Sequence, residues 1–157
     1  MIIQSWYWEG SVDDPCKHAA GKTVLHVDGL RVDSECVVFF LSDGSILQIA
    51  YHHDCCASCS ILDMDCEDSD FINQKILSLE IVESEDPPPG DYTPDSYTWS
   101  FVKFSTTKGH FTMRWYGESN GYYSESPTIQ AIDAEHARKH LNEADLVRLD
   151  RAMELGL

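Results

Sequence analysis

Apolar and polar positions alternate along most of this chain, and only the C-terminus changes to a helical period. Lys22–Val27 alternates weakly and stops at Asp28-Gly29, a turn signal. Glu35–Leu41 is rich in β-formers and holds the longest apolar run, Cys36–Leu41. Ser42-Asp43-Gly44-Ser45 separates it from Ile46–Tyr51, and two apolar runs joined by Asp-Gly predict a hairpin. Lys75–Glu83 alternates as a strand. In Ser96–Thr106, Tyr97, Trp99 and Phe101 share one face, and Thr98, Ser100 and Val102 share the other. Lys108-Gly109 turns this segment into His110–Tyr116, where Phe111, Met113 and Trp115 fall on one side. Ser119-Asn120-Gly121 turns the chain again, into Tyr122–Glu125, which reads as a further strand.

Asp133 is placed to cap a helix over 134–141, and Asn142, with Asp145 three residues on, to cap a second. Leu146, Leu149 and Met153 recur at helical spacing, and Gly156 marks the stop. The predicted class is α+β: about six or seven antiparallel strands in a meander of hairpins, with C-terminal helices on one face or edge. One domain over residues 1–157 is expected. It divides into an arm at 1–21, a β-rich core at 22–128 and helices at 133–156. Trp6, Tyr7 and Trp8 in the arm are expected to dock on the core. Within the core, 54–74 reads as an acidic loop and 84–96, with Pro87-Pro88-Pro89-Gly90, as a solvated one.

Composition sharpens this picture. With 43% apolar residues in 157, the chain can bury a core, which excludes a wholly disordered protein. Its 27 acids and 11 bases give a net charge of −16, a poor match for nucleic-acid phosphate and a better one for a basic protein partner, or for a solvated surface that simply keeps the protein in solution. The N-terminus lacks the basic and apolar regions of a signal peptide, and no stretch approaches membrane-spanning length, so a cytoplasmic protein off the membrane is expected. Twelve acids against one lysine give residues 54–95 a net −11, so most of the imbalance sits in one quarter of the chain. Asp63, Asp65, Glu67, Asp68, Asp70, Glu83, Glu85 and Asp86 are the candidate contacts of such a partner. A calcium loop through Asp63, Asp65 and Glu67 lacks the glycine and terminal glutamate that an EF-hand requires.

Six cysteines without an export signal favour thiols or a metal over disulfides. His52, His53, Cys55, Cys56, Cys59 and Cys66 lie close in sequence. Cys56-x-x-Cys59 is a knuckle suited to Zn²⁺, a histidine and Cys66 are placed to complete the tetrahedron, and His53, Cys55, Cys56, Cys59 and Cys66 are the candidate ligands. The alternative is ordinary thiols, packed as small apolar groups, or a disulfide. Neighbouring acids raise thiol pKa values and slow thiolate chemistry.

Other motifs are decoys. Gly117-Glu118-Ser119-Asn120-Gly121 matches the G-x-S-x-G pattern, but a nucleophile elbow needs a helix after the serine, and a hairpin turn is expected here. His136 and His140 share a helix face without the general-base glutamate of a zincin. Arg114, Glu118 and Glu125 flank aromatics, an arrangement that suits either the lining of a pocket or, more simply, a cross-strand salt bridge.

Arg114-Trp115-Tyr116-Gly117-Glu118-Ser119-Asn120-Gly121-Tyr122-Tyr123-Ser124-Glu125, Ser96-Tyr97-Thr98-Trp99, Asp43-Gly44 and His53-Asp54-Cys55-Cys56 together resemble a family of small uncharacterised domains of bacteriophages and some bacteria. The likeness covers roughly residues 36 to 126. In that family's pattern Asp54, Cys55 and Cys56 recur with the histidine, whereas Cys59 and Cys66 are peculiar to this chain. The resemblance brings no reaction. It implies origin as a phage accessory protein acting in a bacterial cytoplasm. The expectation is therefore a non-enzymatic acidic protein that occludes a basic, nucleic-acid-handling host defence protein. A zinc protein or metal-dependent enzyme centred on the cysteine–histidine cluster is the alternative.

Overall fold

The computed structural model of the chain describes residues 10–53 and 55–154. Trp6, Tyr7, Trp8 and Gly156, assigned roles above, lie outside the described residues. Among the described residues eight strands form two four-stranded antiparallel sheets. The first contains β1 (Val24–Asp28), β2 (Cys36–Leu41), β3 (Ile46–Ala50) and β8 (Thr128–Ile132), side by side in that order. The second contains β4 (Ser58–Met64), β5 (Ile76–Ser84), β6 (Ser96–Thr106) and β7 (His110–Ser119), in the order β4-β7-β6-β5.

The unbroken apolar runs of β2 and β3 have a simple cause, because the first sheet is covered on both faces. Val37, Phe39, Leu41, Leu47 and Ile49 pack against Ile61, Leu79, Val102, Phe104, Met113 and Trp115 of the second sheet. Val38, Phe40, Ile46 and Ile132 face the opposite way, onto Ala137, Leu141 and Leu149. Those last three belong to α3 (Ala134–His140), the two-residue link after it and α4 (Glu143–Glu154), respectively. The predicted caps are present: Asp133 Oδ1 accepts from His136 N at 2.9 Å, and Asn142 Oδ1 from Asp145 N at 2.8 Å. The α+β class with C-terminal helices on one sheet face is therefore what the chain forms.

Three features depart from the sequence reading. Ser58–Met64, assigned to an acidic loop, is an edge strand whose Cys59 and Ile61 point into the core. Tyr122–Glu125, assigned to a strand, is irregular, and the chain next pairs at Thr128–Ile132. The strands make two stacked sheets rather than one meander.

Two short helices position the chemistry. α1 (Pro15–Ala19) begins with the Asp14 side chain accepting from Lys17 N. α2 (Asp68–Phe71) follows β4 and drives Phe71 fully into the core. The Phe71 ring meets Phe39, Phe104 and Phe111 at centroid distances of 5.1–5.5 Å. This aromatic plug fills one end of the sandwich and leaves the acids of α2 outside it.

Candidate functional site

The acidic surface is built around α2. Phe71 anchors the helix, so Glu67, Asp68 and Asp70 stand on a rigid turn rather than on a loose loop. Asp70 is clamped: Lys108 Nζ donates to its Oδ1 at 2.6 Å and Glu67 N to its Oδ2 at 2.9 Å. The lysine bond, then the backbone bond, holds its carboxyl below the usual range. Asp65 Oδ1 accepts from Thr112 N at 2.8 Å, which ties it to the start of β7. Asp68 behaves in the opposite way. Partial burial raises its pKa, His26 opposes that rise, and the like charges of Asp28 and Glu67 add to it. Asp28, at the end of β1, therefore joins a group of acids that the linear tract did not include.

The eight predicted contact residues do not form one patch. Asp63, Asp65, Glu67, Asp68 and Asp70 lie at the α2 end. Asp63 there pairs across the strands with Arg114, Oδ2 to Nη1 at 2.7 Å. Glu83, Glu85 and Asp86 lie at the far end of β5, on the opposite edge of the second sheet. Glu83 stands opposite Ser100, and six residues of β6, roughly 20 Å of extended strand, separate Ser100 from the end nearer α2. There Glu83, Ser84 and Glu85 border a cleft of about 470 Å³ with Tyr97 and Thr98.

The proposed zinc ligands His53, Cys55, Cys56, Cys59 and Cys66 are dispersed as well. Among the described residues no three His, Cys, Asp or Glu side chains are arranged to hold a metal. The reason is strand geometry. Cys59 faces the core from β4 and is 2% exposed, and burial pushes its thiol up to about 12. Cys66 lies beyond the other end of that strand, its thiol also raised by burial to about 12. His53 is engaged by Glu35. Cys55 and Cys56 remain together on the surface, with Sγ atoms 2.8 Å apart.

The other motifs resolve as architecture. Ser119 Oγ donates to Glu125 Oε2 at 2.6 Å, and a turn follows it rather than a helix. Ser96 Oγ and Thr98 Oγ1 donate to Glu125 Oε1 at 2.9 and 2.6 Å. Three hydroxyls thus satisfy one carboxylate beside the mouth of the sandwich. Tyr51 Oη donates to Ser124 O at 2.9 Å and ties the same segment to the first sheet. His136 is held by Asp133, Nδ1 to Oδ1 at 2.8 Å; the His140 side chain lies outside the described residues.

Sequence reasoning missed two surface features. The guanidinium of Arg114 lies over Trp99 and Phe101, 4.8 and 5.4 Å from the ring centroids. Trp99 Nε1 donates to Pro87 O at 3.1 Å, so the proline-rich segment is strapped across the outer face of the second sheet. Beside this strap an open cleft of about 490 Å³ is bordered by Cys56, Ser58, Tyr92, Asp95, Glu118 and Asn120. Its composition, two acids with an exposed tyrosine, suits a cationic group. The alternation of Tyr97, Trp99 and Phe101 was the available signal for this face.

A family model described as a domain of unknown function (DUF7448) matches residues 17–129. No curated protein and no solved structure matches the chain. Among the described residues no helix is long and apolar enough to cross a membrane.

Proposed function

The chain belongs to this family of domains of unknown function, and from its own geometry we propose a non-enzymatic binding protein that engages a basic protein through the acids around α2. The carrying observation is the convergence of Asp28, Glu67 and Asp68 around α2: partial burial raises the Asp68 pKa, and the like charges of Asp28 and Glu67 add their repulsion to it against the pull of His26. A cationic partner relieves that repulsion on binding, and a surplus of −16 attracts such a partner from a distance. Phe71 fixes the array, so little ordering entropy is lost in the complex. The partner class we favour is a nucleic-acid-handling protein whose cleft is built for a polyanion. The resemblance to phage domains narrows it to a bacterial defence enzyme met in the host cytoplasm, with occlusion as the mechanism.

The test is capture from bacterial lysate across a salt series with charge-reversed variants. Glu67→Lys with Asp68→Lys should abolish retention of the partner. Glu83→Lys with Glu85→Lys, at the far end of the sheet, should leave most of it. Equal retention in molar salt, or an α2 double variant that still captures the same protein, would reject the reading.

A further inference from the structure

We infer that Cys55 and Cys56 form a surface dithiol site, which a peroxide converts reversibly to a disulfide between adjacent residues. Three observations place it. The two Sγ atoms are 2.8 Å apart, so closing the bond requires a movement of under roughly 1 Å. Both residues are exposed, in the turn that leads into β4, where a small oxidant can reach them. Cys56 holds the left-handed backbone region at φ 63°, a conformation a non-glycine residue adopts only when its surroundings impose it.

The other thiols are protected from this chemistry. Cys36 and Cys59 are buried, and burial raises Cys16 and Cys66 as well, which suppresses their nucleophilic thiolate forms. The step balances without a metal. One thiolate attacks a peroxide oxygen; the O–O bond breaks, and the leaving oxygen departs as hydroxide or alkoxide and takes up a proton. The resulting sulfenic acid is attacked by the neighbouring thiolate. An S–S bond forms, the S–O bond breaks, and water leaves after protonation. The two thiols lose two electrons and the peroxide gains them.

Adjacent Cα atoms across a trans peptide lie about 3.8 Å apart, less than the roughly 4.4–6.8 Å usual for a disulfide. The product is therefore strained and easily reduced, as labile disulfides are. Cys56 also borders the cleft that contains Tyr92, Asp95 and Glu118, so ring closure stiffens one wall of it.

The experiment treats the full chain with stoichiometric hydrogen peroxide and follows it by alkylation, intact mass and peptide mapping. The expected product lacks two hydrogen atoms, is blocked to alkylation at Cys55 and Cys56 alone, and returns fully with dithiothreitol. Phenylarsine oxide, which condenses with paired thiols, should add once and release water. Cys55→Ser and Cys56→Ser should each remove both behaviours. Peroxide products that are cross-linked dimers, sulfinic acids or disulfides elsewhere would overturn the assignment, as would arsenical addition to either single variant. The readout is mass, so its outcome does not depend on the partner proposed above.

Discussion

A Cβ atom added at Gly117 would lie 1.7 Å from the carbonyl oxygen of Glu125. Gly117 is not needed for an unusual backbone angle; it is needed because another stretch of chain passes against its strand. The Glu125 side chain then collects the hydroxyls of Ser96, Thr98 and Ser119. The segment Gly117–Glu125, which begins with the G-x-S-x-G pattern set aside above as a decoy, is thus a clasp that closes the mouth of the sandwich.

Gly117→Ala should lower stability by roughly 2–3 kcal/mol, the upper range for overpacking against backbone that yields poorly. Glu125→Gln keeps the shape but replaces one acceptor with a donor, and should cost about 1–2 kcal/mol. Urea midpoints compared at a fixed slope measure both. An alanine variant at wild-type stability would mean that the clasp swings aside freely.

How much of this was readable follows the range of the interactions. The β2–β3 and β6–β7 hairpins are local, and Asp43-Gly44 and Lys108-Gly109 announce them. β4 was hidden because its period slips at a bulge between Ile61 and Asp63, and because cysteines amid acids resemble a ligand loop. The acids seemed a single tract because they are dense in sequence. The chain reverses through α2, however, and runs up the opposite edge of the sheet, which carries Glu83, Glu85 and Asp86 away from Asp68. Asp28 could join Asp68 only through a tertiary contact, which linear spacing does not encode.

The Asp43 carboxyl should contribute stability that acid removes. Burial alone would raise its pKa, but bonds from the Ser45 hydroxyl and backbone and the charge of Lys22, 3.3 Å away, bring it below the ordinary value. A carboxyl depressed on folding stabilises the protein above its unfolded value of about 3.9, and the effect fades as pH falls through the folded value. Asp43→Asn should therefore lower the urea midpoint at neutral pH and show progressively less loss in acid. A deficit that stays constant over that range would assign the residue's role to the shape of the turn alone.

Arg114→Lys should cost about 0.5–1.5 kcal/mol, although charge is retained. The planar guanidinium covers Trp99 and Phe101 while it bonds Asp63, and an ammonium cannot do both. Trp99 fluorescence should shift with the change, and an unchanged midpoint would show the stack to be energetically neutral.

Thiol reactivity offers a direct reading of the dispersed cysteines. Native protein at mildly alkaline pH should alkylate first at Cys55 and Cys56. Cys59, raised by burial to about 12, and Cys36, raised by burial to about 11, should stay unlabelled until denaturant is added. Added zinc should not change this order or the melting temperature, because Cys59 and Cys66 lie toward opposite ends of β4. Zinc-dependent protection of Cys56 together with Cys59 would restore the metal reading.

Asp68 carries the opposite sign to Asp43. Its pKa is raised on folding, first by burial and then by Asp28 and Glu67, against the pull of His26. A carboxyl raised in this way takes up its proton more readily in the folded state, so its charge opposes folding at neutral pH and stops doing so once acid neutralises it. Asp68→Asn should then raise the urea midpoint modestly at pH 7. The gain should shrink in high salt, which screens exposed acids, and vanish below the ordinary carboxyl value of about 3.9. The same substitution should weaken capture of a basic partner. Stability and binding would then move in opposite directions, as expected where like charges are held together for a ligand rather than for the fold. A variant that loses stability instead would mean that His26 and the start of α2 outweigh the repulsion, and that the acids around Asp68 are held in place by the fold's own needs.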